Sequence, residues 1–203
     1  MGEGGLNDIR FEFAKKQHLD EIKAISKQTY REHSIRNPDA FAKEYTTLPL
    51  EPMLVKSFNK NGESDSIIVA LDGGTVVGHI IFMIYDHPSE TKQNIEKIAS
   101  IGDISIHPDY RGQGLGKKAL QFLIPILNSR GVTRVDAQIW AGNTRSESLF
   151  ESAGFIDTYR EVRLRLNDPQ PLPKKLFRMW VKWRTVVYWL ILILAYALFR
   201  SQI

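Results

Sequence analysis

The chain has 203 residues, a formal net charge of +4, 43% hydrophobic and 25% charged residues, which fits one globular core plus an appendage and argues against both wholesale disorder and a polytopic membrane protein. It contains no cysteine, which excludes a disulfide framework, a thiolate zinc site and a cysteine nucleophile together. Met1 to Leu6 lacks the apolar run of a secretory signal, and Leu6 stands where a myristoylation site takes Ser or Thr.

Ile9 to Ala14 alternates as a first strand, and His18 to His33 carries Leu19, Ile22, Ile25 and Tyr30 near helical spacing. Phe41 to Phe58 reads as a second helical region, interrupted where Pro49 and Pro52 remove amide donors. Ser66 to Leu71 and Thr75 to Tyr85 are β-rich runs joined by the turn Asp72-Gly73-Gly74, an antiparallel hairpin. A polar loop around His87 to Asn94 leads to a third β-rich run, Ile98 to Ile106, ended by His107-Pro108. Leu115 to Asn128 is an amphipathic helix in which Pro125 predicts a kink or an end to regular hydrogen bonding, with Gly131 as cap. Arg134 to Trp140 returns to strand character, Thr144 to Ser152 is a short helix closed by Gly154, and Asp157 to Leu166 alternates as a final strand. The order β, α, α, β, β, β, α, β, α, β predicts an α/β protein of α+β type with a mixed sheet, its domain covering residues 8–166.

Three prolines within Asn167 to Pro173 predict a stiff linker over 167–174. The remaining 175–203 read as a basic juxtamembrane stretch and an anchor helix. Arg160 to Arg184 concentrates eight cationic residues against Glu161 and Asp168, and Val186 to Phe199 then carries no charge. A segment apolar all round needs an apolar surround. About 14 residues span roughly 21 Å, short of the ~30 Å hydrocarbon core. Extension through Trp183 and Thr185 lets Lys182 and Arg184 snorkel, while Trp180, Trp183 and Trp189 suit an interface. The positive-inside rule then predicts a single-pass C-terminal anchor with the folded domain cytoplasmic. Shallow insertion into anionic lipid and soluble packing are the alternatives. Lipid is a better partner than nucleic acid for a basic run adjoining an apolar tail. Homo-oligomerisation stays open.

The central motif is Ile104-Ser-Ile-His-Pro-Asp-Tyr-Arg-Gly-Gln-Gly-Leu-Gly116, a strand passing through a turn into a helix, in which Arg111 to Gly116 fit Arg-x-x-Gly-x-Gly. Glycines there let the backbone approach an anion that faces free amides and the positive helix end. A Rossmann site needs the loop after the first strand of a repeated βαβ unit; here it follows the fourth strand of a largely antiparallel order.

With Asn143 and Leu149-Phe-Glu-Ser-Ala-Gly-Phe155 following in order, residues 9–166 resemble the GNAT superfamily of N-acetyltransferases. The resemblance implies acetyl-CoA as co-substrate, no metal, and an amine acceptor: a protein N-terminus, a lysine or a small amine. It implies that the amides of Arg111, Gly112, Gln113, Gly114, Leu115 and Gly116 hold the pyrophosphate, with Lys117 adding charge. The backbone of Ile104, Ser105 and Ile106 pairs with the pantetheine arm between splayed fourth and fifth strands, Asn143 bonds that arm, and Phe150 lies beside it.

Acetyl transfer needs a neutral amine, stabilisation of the thioester oxygen and an exit for the thiolate. A backbone amide near Ile106 supplies the second by resemblance. Asp103 is the candidate base or amine-binding carboxylate; the plainer reading is a loop cap or ion-pair partner. Two departures stand out: Phe150 replaces a general-acid tyrosine of many relatives, and Gln138 replaces a glutamate of some. The thiolate then leaves unassisted, through water, or with help from a group such as Tyr159. His79 and His107 receive no role. A membrane-tethered CoA-binding module without turnover is the competing function.

Overall fold

The computed structural model describes residues 9–38, 41, 54–55, 57–59, 61–88 and 95–162. Contact density divides the chain into Met1–Asp157 and Thr158–Ile203. The first unit holds β1 (Arg10–Lys15), α1 (Leu19–Arg36), β2 (Glu63–Asp72), β3 (Thr75–Pro88), β4 (Ile95–Ile106), α2 (Leu115–Ser129), β5 (Arg134–Ala137) and α3 (Thr144–Ser152). In the second unit, residues 158–162 carry neither helix nor strand, and the expected linker and anchor segment lie outside the described residues. Among the described residues no helix is long and apolar enough to cross a membrane.

The strands form one mixed sheet in sequence order, antiparallel except for the parallel pair β4 and β5. The β2–β3 hairpin closes on Gly73 and Gly74 with φ of +56° and +96°, the left-handed pair a tight turn between twisted strands requires. β2 is buried on both faces and its alternation sorts them. Ile67, Val69 and Leu71 join Ile22 and Ile25 of α1, whereas Ile68 joins Ala119, Leu120, Leu123 and Leu127 of α2. The sheet is thus the middle of three layers.

Several element boundaries differ from expectation for physical reasons. Pro125 does not end α2: it sits exposed within the helix, which runs on to Ser129. β5 stops at Ala137 instead of Trp140, because pairing with β4 ends at Ile101 opposite Ala137. β4 starts earlier, at Ile95, since its long partner β3 supplies hydrogen bonds out to Pro88. The final strand expected over Asp157 to Leu166 is absent from 157–162: alternation marks a sequence able to form a strand, but a ladder partner must also exist. Its remaining residues lie outside the described ones. Of the second helical region, Leu54 and Val55 are helical, and Phe41 and Leu54 are buried.

Candidate active site

β4 determines the site. Ile81 of β3 pairs with Asp103 and the adjacent Phe82 with Ile101, so Gly102 is an extra residue bulged out of β4. A bulge bends its strand and re-aims the next side chains. At the same point the β4–β5 ladder ends, and β4 beyond Ile101 has β3 on one edge and an opening toward β5 on the other. Ile104, Ser105 and Ile106 lie on this stretch.

A cavity of about 80 Å³ occupies the opening. Asp103 and Ile104 of β4 face Gln138 and Trp140 after β5, with Tyr30 and His33 of α1 and Asn143, Ser146 and Phe150 of α3 completing the lining. Phe41 stacks on His33 and meets Tyr30 and Trp140 edge-on, making one wall aromatic. The buried stripe of α1 begins apolar with Ile22 and Ile25 and turns polar through Ser26. That change marks where the helix leaves the core and enters the cleft.

Asp103 is held by three side chains. Ser105 Oγ donates to Oδ1 at 2.9 Å, while Oδ2 accepts from His79 Nε2 at 2.9 Å and Ser26 Oγ at 3.2 Å. Ser26 Oγ also lies 3.0 Å from His79 Nε2, so one ring nitrogen serves both partners and Nδ1, buried, has none among the described residues. A nucleophile relay uses the two ring nitrogens separately, which this arrangement does not. Burial alone would raise the Asp103 pKa; the bond and charge of His79, then the bonds from Ser105 and Ser26, overcome it and hold the carboxyl below its usual range. Tyr30 is pushed up to about 12 by burial and by the charge of Asp103. Burial, then Arg36, lowers His33, against smaller opposing effects of Asp103 and Glu32.

The glycine loop lies at the other end of the opening. Gly112 and Gly114 have φ of +76° and +77°, and a Cβ on either would meet nothing within 4 Å, so conformation rather than space demands glycine there. Gly114 is the N-cap of α2, and the first intrahelical bond runs from Lys118 N to Gly114 O. The amides of Leu115, Gly116 and Lys117 therefore have no intrahelical partner. Gly116 has a packing role as well, since a Cβ would come within 3.1 Å of Leu149. Gln113 turns its side-chain amide back to Asp109 O.

Arg111 turns inward: Nε donates to Ile106 O at 2.9 Å and Nη1 to both Glu32 oxygens at 2.7 and 2.9 Å. A larger polar groove of about 500 Å³ runs past Glu32, Arg36, Arg111, Gly142, Asn143, Thr144 and Arg145. Asn143 lines both cavities, and its Nδ2 donates to Ser146 Oγ at 2.7 Å. Phe150 is buried against Phe155 and the α2 core while lining the smaller cavity.

The model of the acetyltransferase (GNAT) family matches residues 22–155, from α1 to the end of α3 and its following turn. The chain belongs to the GNAT family. A stretch of 69 residues is 40% identical to the [ribosomal protein bS18]-alanine N-acetyltransferase of Escherichia coli K12, covering 34% of this chain and 44% of that protein. A stretch of 93 residues is 33% identical to the glucosamine 6-phosphate N-acetyltransferase of Trypanosoma brucei brucei, covering 46% of this chain and 59% of that protein. Each match spans about half of the GNAT relative's length. Among solved structures, a mutant of the BH1408 protein from Bacillus halodurans superposes with a TM-score of 0.67 at 17% identity, over 78% of this chain and 99% of that one. AAC(6')-Iy in complex with the bisubstrate analogue CoA-S-monomethyl-acetylneamine gives 0.55 at 17% identity, over 79% and 99%.

The sequence motifs of the GNAT resemblance converge in space: Asp103, Ile104, Asn143 and Phe150 line one opening, with Arg111 in the adjoining groove. Ser26, Tyr30, Glu32, His33 and Trp140 were not legible as site residues. Ser26 and Glu32 meet Asp103 and Arg111 across 77 and 79 positions of chain, beyond any local spacing. Gly102 did carry a signal, because a glycine inside a strand run marks a bulge. Tyr159 belongs to the second unit.

Proposed function

We propose that this protein transfers the acetyl group of acetyl-CoA to a primary amine by direct attack. The observation that carries the reading is the opening between β4 and β5, with free helix-start amides at one end and a fixed carboxylate at the other. The residues present fit the donor: the free first-turn amides of α2 suit an anion, and the edge of Ile104 to Ile106 that no strand pairs, with the Ile106 carbonyl taken by Arg111, suits an extended amide-bearing arm.

In this reading Asp103 binds the amine instead of acting as a strong base. Its depressed pKa makes it a weak proton acceptor but a permanent anion at neutral pH. It draws in an ammonium and, once that proton has passed to water, accepts a hydrogen bond from the neutral amine. The amine nitrogen then bonds to the acetyl carbon, the carbon–sulfur bond breaks with its electron pair on sulfur, and an amide N–H remains after the second proton leaves. An acceptor whose pKa lies near 8, such as an α-amine, suits this site better than a lysine near 10.4, because more of it is neutral without a base.

The location is part of the same proposal. The uncharged Val186 to Phe199, preceded by the basic run, supports a tail held in a membrane with the catalytic unit on the cytoplasmic side.

Incubating the purified chain with radiolabelled acetyl-CoA and a panel of peptide N-termini, lysine peptides and amino sugars tests the activity. Label transfer to an amine supports it. Acetyl-CoA binding with no transfer to any of them would favour the tethered-module function.

A further inference from the structure

Phe150 leaves the departing sulfur without the hydroxyl that a tyrosine would give, and the cavity contains two other hydroxyls. Tyr30 stands on the α1 wall, within the field of Asp103, on the side assigned to the amine. Ser146 stands on α3, four residues before Phe150 and so on the same helical face.

The hydroxyl of Ser146 is set differently from those of Ser34, Ser129 and Ser152. Ser34, Ser129 and Ser152 each turn theirs onto a carbonyl three residues back, at 2.8 to 2.9 Å. Ser146 Oγ instead accepts from Asn143 Nδ2 at 2.7 Å, and among the described residues it donates to none. A hydroxyl that accepts one hydrogen bond has its own hydrogen left to give and becomes a better donor through polarisation. Ser146 lines the cavity, so that hydrogen is available to a group bound there.

Resting on the acetyltransferase reading, we infer that Ser146 is a catalytic residue whose Oγ–H hydrogen-bonds the CoA sulfur as the carbon–sulfur bond breaks, taking the place of the hydroxyl missing at Phe150. No proton is transferred from serine, whose hydroxyl is far too weak an acid. The thiolate leaves as an anion, the hydrogen bond stabilises it, and the proton lost by the amine goes to solvent. Asn143 is then a positioning residue: it lines both cavities and fixes the serine oxygen.

The test reads the leaving group directly, with CoA itself as probe. The thiol of bound CoA is titrated by its ultraviolet thiolate absorbance in the full-length protein, in Ser146→Ala, and in Ser146→Ala combined with Phe150→Tyr. A hydrogen bond to the charged form favours it, so the thiol should titrate about one pH unit higher in Ser146→Ala than in the parent. The added tyrosine should bring it back, while affinity for the protonated thiol, measured well below its pKa, stays within about twofold across the three proteins. Identical titration in the parent and Ser146→Ala, at equal CoA affinity, would overturn the role of Ser146 and leave the acetyltransferase reading intact. Failure of the folded parent to bind CoA would overturn both.

Discussion

Asp103 sits among three hydrogen-bonding side chains, and together they hold its carboxyl in the charged form against the cost of burial. Asp103→Asn retains the shape but leaves Ser105 donating toward an amide that is itself a donor on one side. Turnover should fall by at least tenfold in kcat/KM with acetyl-CoA affinity unchanged, measured by steady-state kinetics beside calorimetric binding. The same residue gives a pH signature in stability. Its folded-state pKa is depressed, so its contribution is present above the ordinary carboxylate range and is lost as pH falls through the lower folded value. The parent should exceed Asp103→Asn by about 1–3 kcal/mol in urea unfolding at pH 7. That gap should shrink progressively below about pH 4. A gap that stays constant down to pH 2 would mean the carboxylate charge is not what stabilises the fold. Asp103 was legible from sequence because it precedes the motif strand. Its three partners were not: His79 and Ser26 reach it from β3 and α1, and only the folded sheet brings them together.

At the scale of elements, the pieces most legible in sequence were those whose periodicity is self-sufficient. α2 repeats Leu115, Ala119, Leu120, Leu123 and Leu127 on one face, and β2 alternates between two cores, so each pattern states which face is covered. Leu123 is fully buried between α2 and the sheet, and Leu123→Ala should cost about 2–5 kcal/mol of unfolding free energy without altering the cleft. What sequence could not supply were the relations between elements: where β5 leaves β4, and what Arg111 reaches. Arg111 ties the glycine loop to α1 through Glu32, joining the helix that lines the smaller cavity to the loop that leads into α2. Both side chains are partly exposed, at 22% and 34%, so water screens the pair and a coupling of only about 1 kcal/mol is expected. That corresponds to roughly a fivefold loss of acetyl-CoA affinity in Glu32→Gln, with no further loss when Arg111→Ala is added. A double-mutant cycle on the dissociation constant checks this, and additive losses would show that Arg111 acts on the loop independently of α1.

At the scale of the whole molecule, the division of labour along the chain follows from where each part can satisfy its apolar surface. Among the described residues, the three hydrophobic clusters of the sheet are built from positions between Ile9 and Phe155, within Met1–Asp157. The run Val186 to Phe199 is uncharged along its whole length. Fourteen or so uncharged residues left without such a surround would drive aggregation in water, whereas a bilayer offers one, and the neighbouring lysines and arginines add attraction to anionic headgroups. Full-length protein should therefore sediment with membranes and resist carbonate extraction. A chain ending at Leu166 should stay in the supernatant, unfold cooperatively and bind acetyl-CoA as the parent does. The basic residues preceding the run separate spanning from surface attachment, since attachment by charge is salt-sensitive and a spanning helix is not. Release of the full-length chain by 1 M salt would assign it to the surface. Retention in salt and carbonate, with protease access to the catalytic unit from the cytoplasmic side, would place the acetyl transfer beside the bilayer and restrict its acceptors to amines that reach that face.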